Sequence, residues 1–202
     1  MKVIKVLPRG FGSNCFILTA DDKTAVVIDP ADSGVLTALN NNNLRCEYVL
    51  LTHGHFDHVG GCAALCKNGA RVYCGETEKP LIFSAGYLSL FGGVSVPPFE
   101  VYATLKDGEG FSLCGINFKA IHTAGHTAGG MCYIADGKYL FTGDTLFRRG
   151  IGRTDLFGGN FAELLKSLKK IAALEGNYKV LCGHEDDTLL DDERLYNPYL
   201  RF

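Results

Sequence analysis

Short apolar runs alternate along the chain with three segments of helical periodicity. The apolar runs predict strands at residues 3–6, 14–19, 24–29, 48–52, 71–74, 111–113, 116–121, 131–135, 139–142 and 178–182. The periodic segments predict helices at about residues 32–40, 61–68 and 161–174. Strands and helices alternate within each half of the chain, which is typical of a layered α/β fold. With 202 residues, 47 % of them apolar, we expect a single domain over residues 1–202.

Local signals support several of these boundaries. Asp32 and Ser33 can cap the first helix, and the asparagine run at residues 40–43 is expected to end it. Asn160 is a plausible cap for the last long helix. The Asp136-Gly137 pair is a strong two-residue turn signal, and Cys114-Gly115 separates two further apolar runs. Both pairs therefore predict hairpins.

Residues 79–100 break the regular pattern. Glycines and a proline pair interrupt a segment that is otherwise rich in leucine, phenylalanine and tyrosine. This composition does not suit a regular strand, and its apolar content is too high for a solvated linker. We interpret the segment as a partly helical lid beside a functional site. The alternative is a contact between two copies of the chain, so that either a monomer or a homodimer is expected.

Composition excludes several classes of partner. The formal net charge is −2 and no basic block is present, so the sequence gives no indication of a nucleic-acid surface. No segment approaches the roughly 20 apolar residues of a membrane span, and the amino-terminal apolar stretch is too short for a signal peptide. We therefore expect a cytoplasmic protein that binds neither nucleic acid nor membranes.

The eight cysteines lie mostly within apolar runs, which favours reduced side chains in the core over disulfides. Cys62 and Cys66 have the spacing of one helix face, but their alanine and leucine neighbours favour packing over metal binding. Cys182 ends a predicted strand, and we expect it too to be a core residue.

The strongest chemical signal is a group of polar side chains after the strand at residues 48–52. His53, His55, Asp57 and His58 fall within six residues and include half of the chain's six histidines. His53 and His55 can share one face of an extended segment, whereas the adjacent Asp57 and His58 are expected to point in different directions. A single metal ion cannot easily be coordinated by all four side chains. Imidazole and carboxylate ligands without thiolate favour a catalytic site for Zn²⁺, Fe²⁺ or Mn²⁺.

Further candidate ligands follow later strands. His122 and His126 flank a glycine-containing turn after the strand at residues 116–121. Asp144 follows Gly143 at the end of the strand at residues 139–142. A carboxylate in this position suits a bridge between two cations, with one oxygen directed at each.

These residues carry a family resemblance. The segment Thr-His-Gly-His-Phe-Asp-His at residues 52–58 resembles the signature of the metallo-β-lactamase superfamily, and the later segments resemble its glyoxalase II-like members. The resemblance extends from Gly-Ser-Asn-Cys at residues 12–15 to the Glu193-Arg and Asn197-Pro pairs of the tail. It implies a four-layer αβ/βα sandwich in which two mixed sheets are flanked by helices. It also implies that the metal ligands lie on loops at one edge of the sheets.

The resemblance also implies a ligand set. His53, His55 and His126 are expected to hold one ion, Asp57, His58 and His184 a second, and Asp144 to bridge the two. The ions are expected to be zinc, with iron or manganese as alternatives. His122 is left as a structural histidine. Asp29 is either a residue that supports a ligand from behind or an ordinary turn carboxylate.

The implied activity is thioester hydrolysis of the hydroxyacylglutathione hydrolase type, with Asp57 and Asp144 as catalytic carboxylates and a hydroxide shared by the ions as nucleophile. Arg153 is expected to contact an anionic substrate. Full-length glyoxalase II carries a C-terminal helical region that contacts glutathione, and we expect the protein to be a short form without this region. Asp186 stands where the glutathione-using enzymes have tyrosine, and Asp186-Asp187 would repel an anion. Because Arg153 can still provide one contact with an anion, S-lactoylglutathione or a related acyl thioester is the expected small-molecule substrate.

Two other functions remain open. The segment Gly-Arg-Thr-Asp at residues 152–155 also resembles the persulfide dioxygenases of the superfamily, which bind a single Fe²⁺ through residues matching His53, His126 and Asp144. The non-enzymatic alternative is a metal-bearing binding module whose site is sealed by residues 79–100.

Overall fold

The computed structural model describes residues 1–7, 10, 12–82 and 96–202. Its strands are β1 Lys2–Val6, β2 Cys15–Thr19, β3 Thr24–Ile28, β4 Arg45–Leu50, β5 Arg71–Gly75, β6 Val101–Leu105, β7 Gly110–Leu113, β8 Ile116–His122, β9 Met131–Ala135, β10 Tyr139–Gly143, β11 Leu146–Phe147, β12 Gly150–Ile151, β13 Lys179–Cys182 and β14 Thr188–Leu189. Its helices are α1 Gly34–Asn41, α2 Phe56–Val59, α3 Cys62–Lys67, α4 Phe161–Ala172 and α5 Leu190–Tyr196, followed by a 3₁₀ turn at Pro198–Leu200. Residues 79–82 are also helical.

The first sheet has the strand order β1-β2-β3-β4-β5-β6. Strands β1 to β3 are antiparallel, whereas β3 to β6 run parallel to one another. Parallel neighbours require crossover connections, and α1 and α3 provide two of them. The carboxyl end of β4 therefore lies at one edge of the sheet, where the chain continues into the histidine-rich segment.

The second sheet has the order β14-β13-β10-β9-β8-β7. Only β10 and β13 are parallel in it, with Gly143 opposite Cys182 at their carboxyl ends. The residues that follow these two strands, Asp144 and His184, consequently emerge side by side.

Alternating side chains of each strand enter two different cores. In β2, Phe16 and Leu18 face the core between the sheets, where they join Tyr133 and Phe141 of the second sheet. Ile17 faces the opposite side and packs in the core under α1 and α3. A third core lies between the second sheet and helices α4 and α5. Helices therefore cover the outer faces of both sheets, and the predicted four-layer α/β sandwich is confirmed.

The structure confirms the predicted cap at Asn160, the predicted end of α1 and the predicted turn at Asp136-Gly137. The Asn160 side chain accepts a hydrogen bond from the backbone N–H of Glu163 at 3.2 Å and caps α4. The asparagine run ends α1 at Asn41. Asp136 adopts a positive φ of 45° in the turn between β9 and β10, as the Asp-Gly signal predicts. Helix α1 begins at Gly34, two residues later than predicted, because Asp32 accepts a hydrogen bond from the Gly34 N–H in a turn before it.

Several short elements were not predicted. These are β6, α2, β11, β12, β14 and α5. Each of the last five has at most seven residues, which is too short for a clear hydrophobic pattern. Strand β6 follows directly on the irregular segment, and its pairing with β5 defines it more than its own sequence does.

The lid and subunit-contact hypotheses concern residues 79–100, of which 83–95 lie outside the described residues. At the two ends of this segment, Ile82 is buried and Val96 and Phe99 pack against the core under α1 and α3. Within the described ranges, no helix has the length and apolarity needed to cross a membrane.

All eight cysteines are free. Cys62 and Cys182 are fully buried in two different cores, so their predicted packing role is confirmed. Burial raises the pKa of the Cys62 thiol well above its usual value and that of Cys182 to about 12. Both thiols are therefore protonated at neutral pH and are inert packing groups.

Replacing Phe141 with alanine is expected to destabilise the protein by about 3–5 kcal/mol, because it opens a cavity between the sheets. The Phe141 ring is fully buried and lies edge-on to that of Phe16, with centroids 5.3 Å apart. Phe157, which is 72 % exposed, provides the matched control, and its replacement should change the free energy of unfolding little. Denaturant unfolding of both variants measures the difference. Equal losses would contradict the assigned packing.

Candidate metal centre

All seven predicted ligands lie at one edge of the two sheets, in segments that follow the ends of strands. His53 and His55 follow β4, and Asp57 and His58 lie in the short helix α2. The remaining three lie after strands of the second sheet: His126 in the loop between β8 and β9, Asp144 after β10 and His184 after β13.

The first cluster, here called the three-histidine group, consists of His53, His55 and His126. Their candidate ligand atoms all lie within 4.8 Å of one another, and Nε2 of His126 is 2.8 Å from Nδ1 of His55. All three residues are at most 5 % exposed. The imidazoles thus converge on one buried point, and they are the three histidines that the family resemblance assigns to one ion.

The second cluster, here called the mixed group, consists of Asp57, His58 and His184. Oδ2 of Asp57 lies 3.1 Å from Nε2 of His184 and 3.8 Å from Nε2 of His58. Asp57 and His58 were expected on a loop, but both lie in the short helix α2. Successive side chains of a helix are separated by about 100°, so the two side chains start in different directions, as expected. The ends of these side chains nevertheless approach each other, and both belong to the mixed group.

The carboxylate of Asp144 faces both groups. Its Oδ1 is 3.3 Å from Nε2 of His58, and its Oδ2 is 3.6 Å from Nε2 of His126 and 3.5 Å from Nε2 of His184. Burial alone would raise the pKa of Asp144, but the neighbouring imidazoles, above all His58, hold it well below its usual value. An ionised carboxylate between the groups has the geometry predicted for a bridge.

Glycines permit this close approach. Gly143 has a φ of 48°, and a Cβ added there would lie 2.2 Å from Oγ1 of Thr52. A Cβ on Gly183 would lie 2.3 Å from Oδ1 of Asp144. A larger residue at Gly183 would displace the Asp144 carboxylate, and one at Gly143 would displace the Thr52 side chain.

The donor atoms fit divalent cations. Nε2 of His53, His55 and His58 and Oδ1 of Asp144 are buried without a hydrogen-bond partner among the described residues. Leaving such atoms unpaired costs about 1–3 kcal/mol each. Burial and neighbouring imidazoles lower the pKa of His53, and they lower that of His55 to about 4. These two rings are therefore neutral and offer lone pairs to a metal ion.

Hydrogen bonds behind the ligands fix their orientation. Oδ2 of Asp29 lies 3.0 Å from Nδ1 of His58, and the same carboxylate accepts from the backbone N–H and hydroxyl of Thr52. The backbone carbonyl of Arg153 lies 2.7 Å from Nδ1 of His126. Both contacts direct Nε2 of the ring toward the centre. Of the two interpretations left open for Asp29, the geometry favours support of a ligand.

His122 lies apart from both groups. Its Nε2 is 3.0 Å from the carbonyl oxygen of Ala128, so the ring has a hydrogen-bond partner and needs no metal ion to satisfy it. The expectation that His122 is structural agrees with this contact.

The expected substrate contacts are exposed. The Arg153 guanidinium lies outside the clusters and forms two hydrogen bonds with the carboxylate of Asp155, at 2.6 and 2.7 Å. Asp186 is paired with Arg148 at 3.1 Å, and Asp187 with Lys5 at 2.9 Å. The repulsion expected from these two aspartates is therefore partly offset by neighbouring cations.

Glu78 was not predicted as part of the site. It is 1 % exposed and accepts hydrogen bonds from the loops that carry the three-histidine group. A single glutamate in a turn gives no sequence signal for such contacts, since they depend on residues 24 and 51 positions away.

Replacing Asp144 with asparagine is expected to lower the affinity of both groups for divalent metal by at least about tenfold, because a neutral amide cannot balance two cations. The matched control is His122→Asn, which should bind metal as the wild type does. Elemental analysis after dialysis against a fixed metal concentration measures both variants. If Asp144→Asn lost metal from one group only, the carboxylate would serve a single ion.

Comparison with known proteins adds the family. A model of the metallo-β-lactamase superfamily matches residues 8–184. Hydroxyacylglutathione hydrolase GloC of Haemophilus influenzae is 31 % identical over 206 residues, which cover 98 % of this chain and 97 % of the relative. The B3 metallo-β-lactamase BLEG-1 has a similar structure, with a TM-score of 0.91, 31 % identity and complete coverage of both chains. TTHA1623 in a di-iron-bound form gives a TM-score of 0.88 at 32 % identity, covering 98 % of this chain and 100 % of the other. The chain belongs to the metallo-β-lactamase superfamily.

Proposed function

We propose that the protein is a binuclear metallohydrolase that cleaves acyl thioesters, with S-lactoylglutathione or a related compound as substrate. The observation that carries this proposal is the convergence of two ligand groups on the one carboxylate of Asp144. Similarity to the Haemophilus influenzae hydroxyacylglutathione hydrolase along almost the whole of both chains supports the thioester as substrate.

The three-histidine group would hold one ion and the mixed group the other, with Asp144 directed at both. Bound ions would supply a water of lowered pKa and polarise the substrate carbonyl. The protein would orient the ligands through hydrogen bonds. Asp29 contacts Nδ1 of His58, and the Arg153 carbonyl contacts Nδ1 of His126. Zinc suits these nitrogen and oxygen donors, and the di-iron form of TTHA1623 makes iron the alternative.

Exposure indicates where a substrate would enter. The three-histidine group is buried, whereas the side chains of His184 and Asp57 are 33 % and 16 % exposed. A substrate would therefore reach the ions from the side of the mixed group. The Phe147 ring, edge-on to His184 with centroids 6.1 Å apart, offers an apolar contact there.

Leaving-group chemistry favours a thioester over a lactam. A thiolate departs without a proton, whereas an amide nitrogen must be protonated as it leaves. Thioester hydrolysis therefore needs little beyond positioned ions and a polarised carbonyl. Similarity to the lactamase BLEG-1 makes a β-lactam the competing substrate to assay.

The metal-loaded protein is expected to release thiol from S-lactoylglutathione, and Asp144→Ala should lose nearly all of this activity. His122→Asn should retain most of it, because that ring bonds a backbone carbonyl outside both groups. A panel of acyl thioesters and a chromogenic β-lactam, assayed with a thiol reagent and by absorbance, measures the preference. Hydrolysis of the lactam alone would contradict the thioester proposal.

The same samples separate the other functions. Binding of a single iron with consumption of oxygen on a persulfide substrate would instead indicate a dioxygenase. Full metal loading without turnover of any of these substrates would indicate a binding module.

Arg153→Ala is expected to raise the KM for S-lactoylglutathione several-fold while kcat changes less, because the Arg153 backbone contacts His126 and the exposed guanidinium would pair with an anionic group of the thiol part. A neutral thioester should show no such change. Lys166→Ala, which removes an exposed cation of α4, is the matched control. An unchanged KM for the anionic substrate in Arg153→Ala would exclude the contact.

A further inference from the structure

Glu78 is a buried carboxylate that has no role in the proposed reaction. One oxygen accepts a hydrogen bond from the backbone N–H of Gly54 at 2.7 Å. The other accepts from the hydroxyl of Thr127 at 3.0 Å and from the N–H of Gly129 at 2.9 Å. Gly54 lies between His53 and His55, and Thr127 follows His126. A single side chain thus connects both loops that supply the three-histidine group.

The backbone around Glu78 is closely packed against these loops. A Cβ on Gly129 would lie 2.3 Å from the backbone N of Glu78, and a Cβ on Gly54 would lie 2.7 Å from Cγ1 of Ile82. A Cβ on Gly75 would lie 2.1 Å from the carbonyl oxygen of Gly129. The backbone segments are therefore in close contact, and we expect a change at the carboxylate to be transmitted to the loops.

Burying a carboxylate is costly, and apolar packing would fill the same space at lower cost. Burial raises the pKa of Glu78, and the three hydrogen bonds offset that effect only in part. The carboxylate has a geometric effect that an apolar side chain would not have. Its two oxygens hold three hydrogen-bond donors, which lie on two separate loops, at fixed positions.

The mixed group is held by other means. His58 is oriented by Asp29, Asp57 is carried by α2, and His184 follows β13. Among the described residues, the hydrogen bonds of the Glu78 carboxylate go only to the loops of the three-histidine group.

We propose that Glu78 is a positioning residue that sets the spacing of His53, His55 and His126, and so controls the metal affinity of the three-histidine group without controlling that of the mixed group. This inference rests on the proposed metal centre.

The variant Glu78→Gln provides the test, because it keeps the size of the side chain but turns one acceptor into a donor. Either Gly54 or Gly129 then faces an N–H group in place of an oxygen. The variant is combined with His184→Ala, which removes a ligand of the mixed group, and separately with His126→Ala, which removes a ligand of the three-histidine group. Calorimetric titration of each metal-free protein with Zn²⁺ gives the affinity of the group that remains.

In the His184→Ala background, Glu78→Gln is expected to weaken zinc binding by about 10–100-fold, as for other residues that orient ligands. In the His126→Ala background it should leave the affinity close to that of its parent. The matched control is Glu76→Gln, because Glu76 is an exposed carboxylate two residues away. Circular dichroism and denaturant unfolding of the metal-free forms check that each variant is folded. If Glu78→Gln does not fold, Thr127→Val removes one of the three hydrogen bonds and should show the same selectivity with a smaller loss.

Equal losses in the two backgrounds would overturn the inference, since they indicate a general structural role. Unchanged affinity in both would overturn it as well, while the proposed metal centre would stand. A wild-type protein that took up no zinc, iron or manganese would overturn the metal centre and the inference together.

Discussion

The position of the Asp144 carboxylate is the constraint on which the rest of the site depends. It must lie within reach of His58, His126 and His184, which come from three separate segments of the chain. The parallel pairing of β10 and β13 satisfies this requirement, because it places Asp144 and His184 on adjacent strand ends. Face-to-face packing of the two sheets then brings the loop after β4 to the same edge. The mixed topology of the sheets thus has a direct chemical consequence.

The two ligand groups differ in how they are built. The three-histidine group is buried, and it or its loops form hydrogen bonds with Thr52, the Arg153 carbonyl and Glu78. The mixed group opens toward solvent through Asp57 and His184. In the proposed function, the buried half would fix the geometry and the accessible half would admit a substrate. Such an arrangement suits a reaction in which the protein mainly positions reactants and excludes bulk water.

Local patterns predicted the strands and helices, whereas the four-layer arrangement and the two ligand groups were predicted from the family resemblance. The cluster from His53 to His58 and the family resemblance identify the same edge at which the structure brings the seven side chains together. What could not be predicted depends on tertiary contacts. Glu78 bonds residues far away in sequence, and β6 is defined by its pairing with β5. The helical conformation of Asp57 and His58 was not predicted, because a four-residue helix leaves too short a pattern to distinguish it from a loop.

The unpaired donors of the cluster link metal binding to folding. Four buried atoms, on His53, His55, His58 and Asp144, have no hydrogen-bond partner among the described residues, so the metal-free cluster is an unfavourable part of an otherwise well-packed fold. The three apolar cores reach this edge through Leu51, Val59 and Cys182, but they consist of other side chains than the ligands. Their burial of apolar surface would therefore stabilise the scaffold independently of a metal and offset the cost of keeping the donors unpaired. A binding ion then meets donors that are already in place, and little of its binding free energy is lost to ordering them.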